Sequence, residues 1–137
     1  MSNKFDLTIL TPQKQFYKGE ATSIKCKGVD GEFEVLSNHM PLVTVLMPWI
    51  TEISDADGKT RKFFSSDGII KVEKGKVEVL CSSCEWPEDI DAKRAEEAKK
   101  RAESRLKQDD DIDARRAEMA LLKSIMRLKL KGTDFHG

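Results

Sequence analysis

The sequence is poor in the residues that build most catalytic, metal and disulfide sites. Its 137 residues include three cysteines, two histidines and one tyrosine. Three cysteines without a regular framework argue against a disulfide-stapled secreted domain and favour a reducing compartment. The closest pair, Cys81-Ser-Ser-Cys84, has no second pair and no neighbouring histidine that would complete a tetrahedral zinc site. A zinc or redox site there is the minor alternative, and two small residues near a domain boundary are the simpler interpretation.

Long apolar runs and phosphate-binding loops are missing as well. No stretch approaches the roughly 18 to 20 apolar residues that cross a bilayer, and the N-terminus lacks the apolar core of a signal peptide. We therefore expect no direct membrane insertion. The sequence has no glycine-rich P-loop or dinucleotide loop, and its two histidines form no nucleophilic group with a serine or cysteine. These absences predict a chain that is not an enzyme by itself, with no metal and no obligatory cofactor.

Charge is abundant but balanced, since Lys+Arg and Asp+Glu both number 24. The overall charge therefore predicts no nucleic acid partner. Locally, residues 115–131 hold six basic side chains against the single acid Glu118, and residues 109–113 hold four acids. This charge pattern has two interpretations. It is either a solvated helix face or a surface that docks to an acidic protein or a nucleotide phosphate.

The first 85 or so residues alternate short period-two runs with glycine-bearing turns, which is typical of a β sandwich or barrel. At Trp86-Pro87 this pattern gives way to a sequence rich in Ala, Glu, Lys and Arg, which are mostly good helix formers. We therefore predict a β domain over residues 1–86 and a helical hairpin over residues 87–137. The predicted strands are 5–9, 22–27, 32–36, 49–53, 60–64, 69–73 and 76–80.

Two helices are expected in the second part, from about Ile90 to Lys107 and from about Ile112 to Lys131, with Gly132 ending the second. A polar turn at 108–111 joins them and makes them antiparallel. A face of small residues buries little area at about 25 cal/mol per Å², so the hairpin should be held weakly and be able to move. The fold class is α+β, mainly β: an N-terminal antiparallel β sandwich followed by a C-terminal antiparallel two-helix hairpin. The small or apolar positions are Ala95, Ala98, Ala102 and Leu106, then Ala117, Ala120, Leu121, Ser124 and Leu128.

Several stretches, in the same order, resemble the epsilon subunit of F-type ATP synthases of the bacterial type. The segment Gly31-Glu-Phe-Glu-Val-Leu-Ser-Asn-His-Met-Pro-Leu42 is similar to the family's G-E-[LF]-G-[IV]-L-P-G-H-x-P-L. Departures are Glu34 for the usual glycine, Ser37-Asn38 for Pro-Gly, and Trp49 where a glycine is common. The other similar stretches are 7–12 with 17–20, 64–70, 90–95 and 113–118.

The resemblance implies a non-catalytic rotor subunit of the central stalk, peripheral on the cytoplasmic face of the plasma membrane. Its sandwich would grip the gamma subunit and rest on the polar loops of the c-ring. By position, Glu32 and His39 would face those loops. From the residues alone, Glu32 is an acid next to a turn, and His39 is a turn-capping or partly buried histidine.

The resemblance also implies an inhibitory arm, whose basic second helix meets the catalytic alpha and beta subunits and blocks ATP hydrolysis. Arg115, Arg116, Lys123 and Arg127 would make the contact with beta.

Some bacterial members bind ATP at the folded hairpin as a regulatory ligand, and the matching positions are Glu85, Asp91, Arg94, Lys123 and Arg127. Lys123 stands where the family has an arginine, and lysine lacks the planar fork that grips phosphate. From the residues alone, Asp91 is a helix-entry acid and Arg94 its solvated neighbour. A free-standing ATP-sensing module is the alternative function.

Overall fold

The computed structural model describes residues 3–108 and 111–136, and the side chains within 3–108 and 114–132. The chain divides into two compact units, Met1–Cys84 and Glu85–Gly137. The predicted acidic turn lies largely outside the described residues, because Asp109, Asp110 and the side chains of 111–113 are not among them.

The first unit is built from short β-strands, as predicted: β1 Phe5–Leu10, β2 Gln15–Gly28, β3 Gly31–Leu36, β4 Leu42–Leu46, β5 Trp49–Asp55, β6 Thr60–Ser65, β7 Gly68–Glu73, β8 Lys76–Cys81 and β9 Cys84–Glu85. Their order in the sheet is β1-β8-β7-β4-β2-β5-β6-β9, with β3 on β2 and a further β1–β2 pairing. Strands β1 and β8 run parallel. Strand β2 pairs antiparallel with β1, β3, β4 and β5, strand β7 with β4 and β8, and strand β5 with β6.

The long strand β2 serves both layers of this sandwich. Its first half, from Gln15 to Ala21, pairs with β1, and its second half pairs with β3 on one side and β5 on the other. Alternate residues of each strand point inward and form one apolar core, which gives the period-two pattern its physical basis. The fully buried core side chains include Leu7, Ile9, Ile24, Val35, Ile53, Phe63, Phe64 and Ile70.

Strand β4 is a correction to the sequence analysis, which predicted no strand between residues 36 and 49. Its sequence Leu42-Val-Thr-Val-Leu46 lacks the polar outer positions that mark a half-buried strand, because Val43 and Val45 are large apolar residues left exposed. The missing alternation has a structural cause: the outer face of this strand is itself apolar.

The second unit holds a 3₁₀ turn at Pro87–Asp89 and two helices, α1 Ala92–Leu106 and α2 Asp111–His136. Helix α2 passes through Gly132, so the prediction that this glycine ends the helix is wrong. Glycine costs about 1 kcal/mol relative to alanine in a helix interior, which weakens a helix without stopping it. Among the described residues, neither helix combines the length and the apolar composition needed to cross a bilayer.

The two helices pack on each other through small residues, as the sequence predicted. Ala95 and Ala102 are buried on α1, and Ala117 and Ser124 are buried on α2, each pair seven residues apart on one helical face. The buried Ser124 hydroxyl donates to the carbonyl oxygen of Ala120 at 2.9 Å, so its polar group is satisfied within the helix.

Candidate functional site

A charged cavity of about 240 Å³ lies in the helical unit. Three guanidinium groups and two carboxylates surround it, so its wall carries one net positive charge. This arrangement favours an anionic ligand such as a phosphate group. The lining residues are Glu85, Asp91, Arg94, Ala95, Ala98, Arg101 and Arg127.

Two contacts join helix α2 to the segment that precedes α1. Arg127 Nε donates to Glu85 Oε1 at 2.5 Å, and Lys131 Nζ donates to the carbonyl oxygen of Pro87 at 3.0 Å. Both contacts bring the last turns of α2 beside the entry to α1, so the helices are antiparallel. The Glu85 and Arg127 side chains are each about one third exposed or less, which shields this ion pair partly from water.

Asp91 is the N-cap of α1, and its Oδ1 accepts from the backbone N–H of Arg94 at 3.1 Å. This bond satisfies one of the free N–H groups of the first turn and fixes where the helix begins. It thereby places the Arg94 side chain on the cavity wall. Asp91 is thus the helix-entry acid that the residues alone indicated, and it also lines the cavity.

Four of the five predicted nucleotide-binding residues meet at this cavity: Glu85, Asp91, Arg94 and Arg127. Lys123 is not among the lining residues, although it lies one helical turn before Arg127 on α2. Arg101 was missed by the sequence analysis. Its spacing of seven residues from Arg94 is the signal that could have found it, because residues i and i+7 share a helical face.

The remaining predicted arginines, Arg115 and Arg116, lie near the start of α2 and are exposed. Neither lines the cavity. In this folded hairpin Arg127 is therefore committed to Glu85, while Arg115 and Arg116 remain accessible from outside.

The two residues predicted to face the c-ring lie at opposite ends of strand β3. Glu32 follows the β2–β3 turn, whereas His39 lies beyond Leu36 in the next loop. At about 3.3 Å per residue, the strand alone separates Glu32 from Leu36 by roughly 13 Å. The His39 ring is half-buried, and its Nδ1 lies 2.7 Å from the carbonyl oxygen of Met40. The backbone N–H of His39 donates to the carbonyl oxygen of Leu36 at 3.0 Å. The structure does not bring these two residues together.

Glu32 has a partner that the sequence analysis did not foresee. The indole Nε1 of Trp49 donates to Glu32 Oε2 at 2.8 Å, and Lys27 Nζ lies 4.4 Å from the centroid of the Trp49 ring. Trp49 was noted only as a departure from the family pattern, and a contact over 17 residues leaves no periodic signal in the sequence.

An apolar row crosses the outer face of the first unit. In the strand register Leu10 lies beside Leu80, Leu80 beside Ile69, and Ile69 beside Val45. Leu80, Ile69 and Val45 are each about half exposed. Four large apolar side chains aligned across four strands form a contiguous patch, which marks an interaction surface more often than isolated apolar residues do.

The three cysteines are buried thiols that form no disulfide with one another. Burial raises the pKa of Cys26 to about 12, because the thiolate loses its hydration. A hydrogen bond from the Cys84 thiol lowers the pKa of Cys81. Among the described residues, no three His, Cys, Asp or Glu side chains are grouped to hold a metal ion.

Comparison with known proteins agrees with this two-part arrangement. Residues 4–87 match the family described as ATP synthase, Delta/Epsilon chain, beta-sandwich domain, and residues 88–132 match its long alpha-helix domain. The chain belongs to the ATP synthase delta/epsilon family. As a bacterial epsilon-type chain, it is a non-catalytic subunit of that enzyme.

The curated relatives of this epsilon-type chain are similar over almost its whole length. An ATP synthase epsilon chain of Clostridium botulinum is 49% identical over 131 residues, covering 96% of this chain and 98% of the relative. One from Clostridium novyi is 45% identical over 130 residues, covering 95% and 99%.

Solved structures share the fold at lower identity. A chain of the Euglena gracilis mitochondrial ATP synthase superposes with a TM-score of 0.79 at 21% identity, covering 91% of this chain and 79% of that one. A chain of the Tetrahymena thermophila mitochondrial ATP synthase, from its central stalk and c-ring, gives 0.69 at 16% identity, covering 95% and 98%.

Proposed function

We propose that this chain is a rotor subunit of the central stalk of an F-type ATP synthase, where it couples the catalytic head to the c-ring and restrains ATP hydrolysis. The observation that carries the proposal is the family match over both units, from residue 4 to residue 132. This position in the complex would place the chain at the cytoplasmic face of the membrane without inserting into it.

The apolar row supports the gamma subunit as the partner of the sandwich. A rotor subunit needs a permanent neighbour, and permanent interfaces are more apolar than transient ones. Leu80 and Ile69 stand in the middle of the row, where a partner would remove them from water completely. Glu32, at the end of β3, remains the proposed contact to the polar c-ring loops.

The hairpin supports a regulatory arm with two states. In the folded state Arg127 binds Glu85 and Lys131 binds Pro87, so both contacts must break before the arm can extend. Once released, Arg127 would join Arg115, Arg116 and Lys123 in facing the acidic surface of the catalytic beta subunit. Such charge pairs, at about 1.5 to 3 kcal/mol each for hydrogen bonds to charged groups, are enough to shift a two-state equilibrium of a few kcal/mol.

The cavity supports ATP as the regulatory ligand of the folded state. Arg94, Arg101 and Arg127 supply three guanidinium groups for a polyphosphate. ATP bound there would hold α1 and α2 together and oppose extension, and this stabilisation would grow with the ratio of the ATP concentration to the dissociation constant of the folded state. A free-standing ATP-sensing module is the second candidate, and the same cavity favours it.

Calorimetry of the full chain with millimolar ATP tests the nucleotide site. We expect Arg94→Ala to weaken binding at least tenfold and Lys93→Ala, an exposed neighbour that does not line the cavity, to leave it unchanged. No heat with the unaltered chain would remove nucleotide sensing and leave the stalk role. Equal effects of the two variants would show that the cavity is not the site.

Deletion of residues 87–137 in the assembled complex tests inhibition. ATP hydrolysis should rise several-fold when the arm is removed. Unchanged hydrolysis, with the truncated chain still present in the purified complex, would contradict the inhibitory role.

Co-purification with gamma tests the apolar row. Leu80→Asp should reduce the recovery of gamma at least tenfold, since it introduces a charge into the proposed interface. Leu36→Asp is the matched control, because Leu36 is exposed to nearly the same extent, 47% against 49%, and lies outside the row. Equal losses in both variants would refute the row as the gamma surface.

A further inference from the structure

Three side chains at the β2–β3 hairpin form a connected unit: Lys27, Glu32 and Trp49. Lys27 and Glu32 lie directly opposite each other in the strand register, on either side of the turn that ends at Gly31. Gly31 has φ of +134°, a conformation that favours glycine, and it sets the direction in which the chain enters Glu32. The Trp49 indole N–H then binds Glu32 Oε2 at 2.8 Å, and the Lys27 ammonium lies over the same ring.

Trp49 is held more firmly than the two residues that it touches. Trp49 follows the fully buried Pro48 and is the first residue of β5, where it lies opposite Ser65 of β6 in the strand register. The Ser65 hydroxyl contacts the Trp49 carbonyl oxygen at 3.4 Å and pairs with the buried Thr51 hydroxyl at 2.6 Å. The indole therefore projects from a fixed piece of backbone, whereas Glu32 lies exposed beside a turn.

We propose that Trp49 is a positioning residue that orients the Glu32 carboxylate toward a basic side chain on the polar c-ring loop, with Lys27 holding the indole ring in place. The inference rests on the proposed c-ring contact of Glu32. The indole occupies Oε2 and leaves Oε1 to accept from the partner. The indole is a neutral donor that adds no positive charge of its own, so a guanidinium or ammonium group is the matching ligand for the carboxylate.

The arrangement is specific to chains with tryptophan at this position. Glycine, which is common in the family at this position, has no side chain that could reach the carboxylate, so this contact could not fix the carboxylate before binding. Fixing it beforehand removes part of the ordering cost of association.

The first experiment addresses the positioning in the isolated full chain. Trp49 and Trp86 give two indole N–H signals in a ¹⁵N-resolved NMR spectrum, and Trp86 serves as the internal reference. Glu32→Ala should accelerate hydrogen exchange of the Trp49 indole about tenfold. Glu34→Ala, which removes another exposed carboxylate from the same strand, should leave that exchange rate unchanged. An unchanged hydrogen-exchange rate of the Trp49 indole N–H in Glu32→Ala would overturn the proposal.

The second experiment measures the affinity of the catalytic head carrying each variant for membranes stripped of it. Glu32→Ala and Trp49→Phe should each weaken binding about tenfold, and the double variant should be no weaker than Glu32→Ala alone. Lys27→Met should act in the same direction, with Lys25→Met as its control.

The outcomes distinguish the positioning role of Trp49 from the c-ring contact of Glu32. If Glu32→Ala weakens binding and Trp49→Phe does not, the positioning role is refuted and the c-ring contact stands. If Glu32→Ala is silent, the proposed c-ring contact fails, and the positioning role falls with it.

Discussion

The interface of the helical hairpin depends on side chains that are small, and this makes it sensitive to added volume. Ala102 is 2% exposed on α1, and Ser124 is 1% exposed on α2. Replacing Ala102 by leucine adds three carbon atoms where the helices approach closely. Overpacking of this kind costs about 1 to 3 kcal/mol. Because that cost falls only on the paired helices, it should appear as a shift toward the separated state of about 5- to 150-fold.

Hydrogen exchange followed by mass spectrometry measures this shift directly in the full chain. In Ala102→Leu, amides of α2 should exchange faster by the same 5- to 150-fold, while those of the β-strands keep their rates. Ser104→Leu is the matched control, since it adds a leucine to an exposed position of the same helix. In the assembled complex, the looser hairpin should also inhibit ATP hydrolysis more strongly.

An unchanged exchange rate in α2 of Ala102→Leu would refute the reasoning, because it would mean that the small-residue faces do not hold the helices together. A similar acceleration in Ser104→Leu would refute it too, since the effect would then come from leucine itself.

The remaining predictions concern stability. The unfolded thiol of Cys26 ionises near its ordinary pKa of 9.0 while the folded one stays protonated to about 12, so its contribution to stability falls as pH rises above 9. The stability difference between the parent chain and Cys26→Ala, followed by urea unfolding, should shift against the parent by about 2 kcal/mol between pH 9 and 10.5; a constant difference would contradict this. Gly68→Ala should destabilise the chain by about 3 kcal/mol, because a Cβ there would collide with the carbonyl oxygen of Leu80. Gly132→Ala should stabilise the chain by up to about 1 kcal/mol, because the added Cβ would meet no described atom within 4 Å and alanine favours the helix. A loss of stability in this variant would contradict the prediction.

The parts of the fold that follow from local pattern could be predicted from the sequence. Period-two runs located most strands, and the change of composition at Trp86-Pro87 placed the helical part. Strand β4 was missed because its outer residues Val43 and Val45 are apolar although exposed, which removes the alternation of polar and apolar residues.

The candidate site divides in the same way. Asp91 and Arg94 follow from the entry to a helix, which is a local signal. Glu85 and Arg127 are 42 residues apart, and only the family resemblance connected them before the structure placed them in contact. Arg101 shares a helical face with Arg94, so a local signal for it was present but was not used. Trp49 was missed because its role depends on Glu32, a residue 17 positions away that the fold brings beside it.

Strand β2 has a mechanical consequence for a part that is proposed to rotate under load. Because one covalent strand of 14 residues runs through both layers, a force applied to one face of the sandwich reaches the other through the peptide backbone. Layers joined only by apolar contacts could slide, since dispersion forces resist separation better than lateral displacement. In the proposed rotor, the shared strand would let the first unit transmit torque as a stiff body.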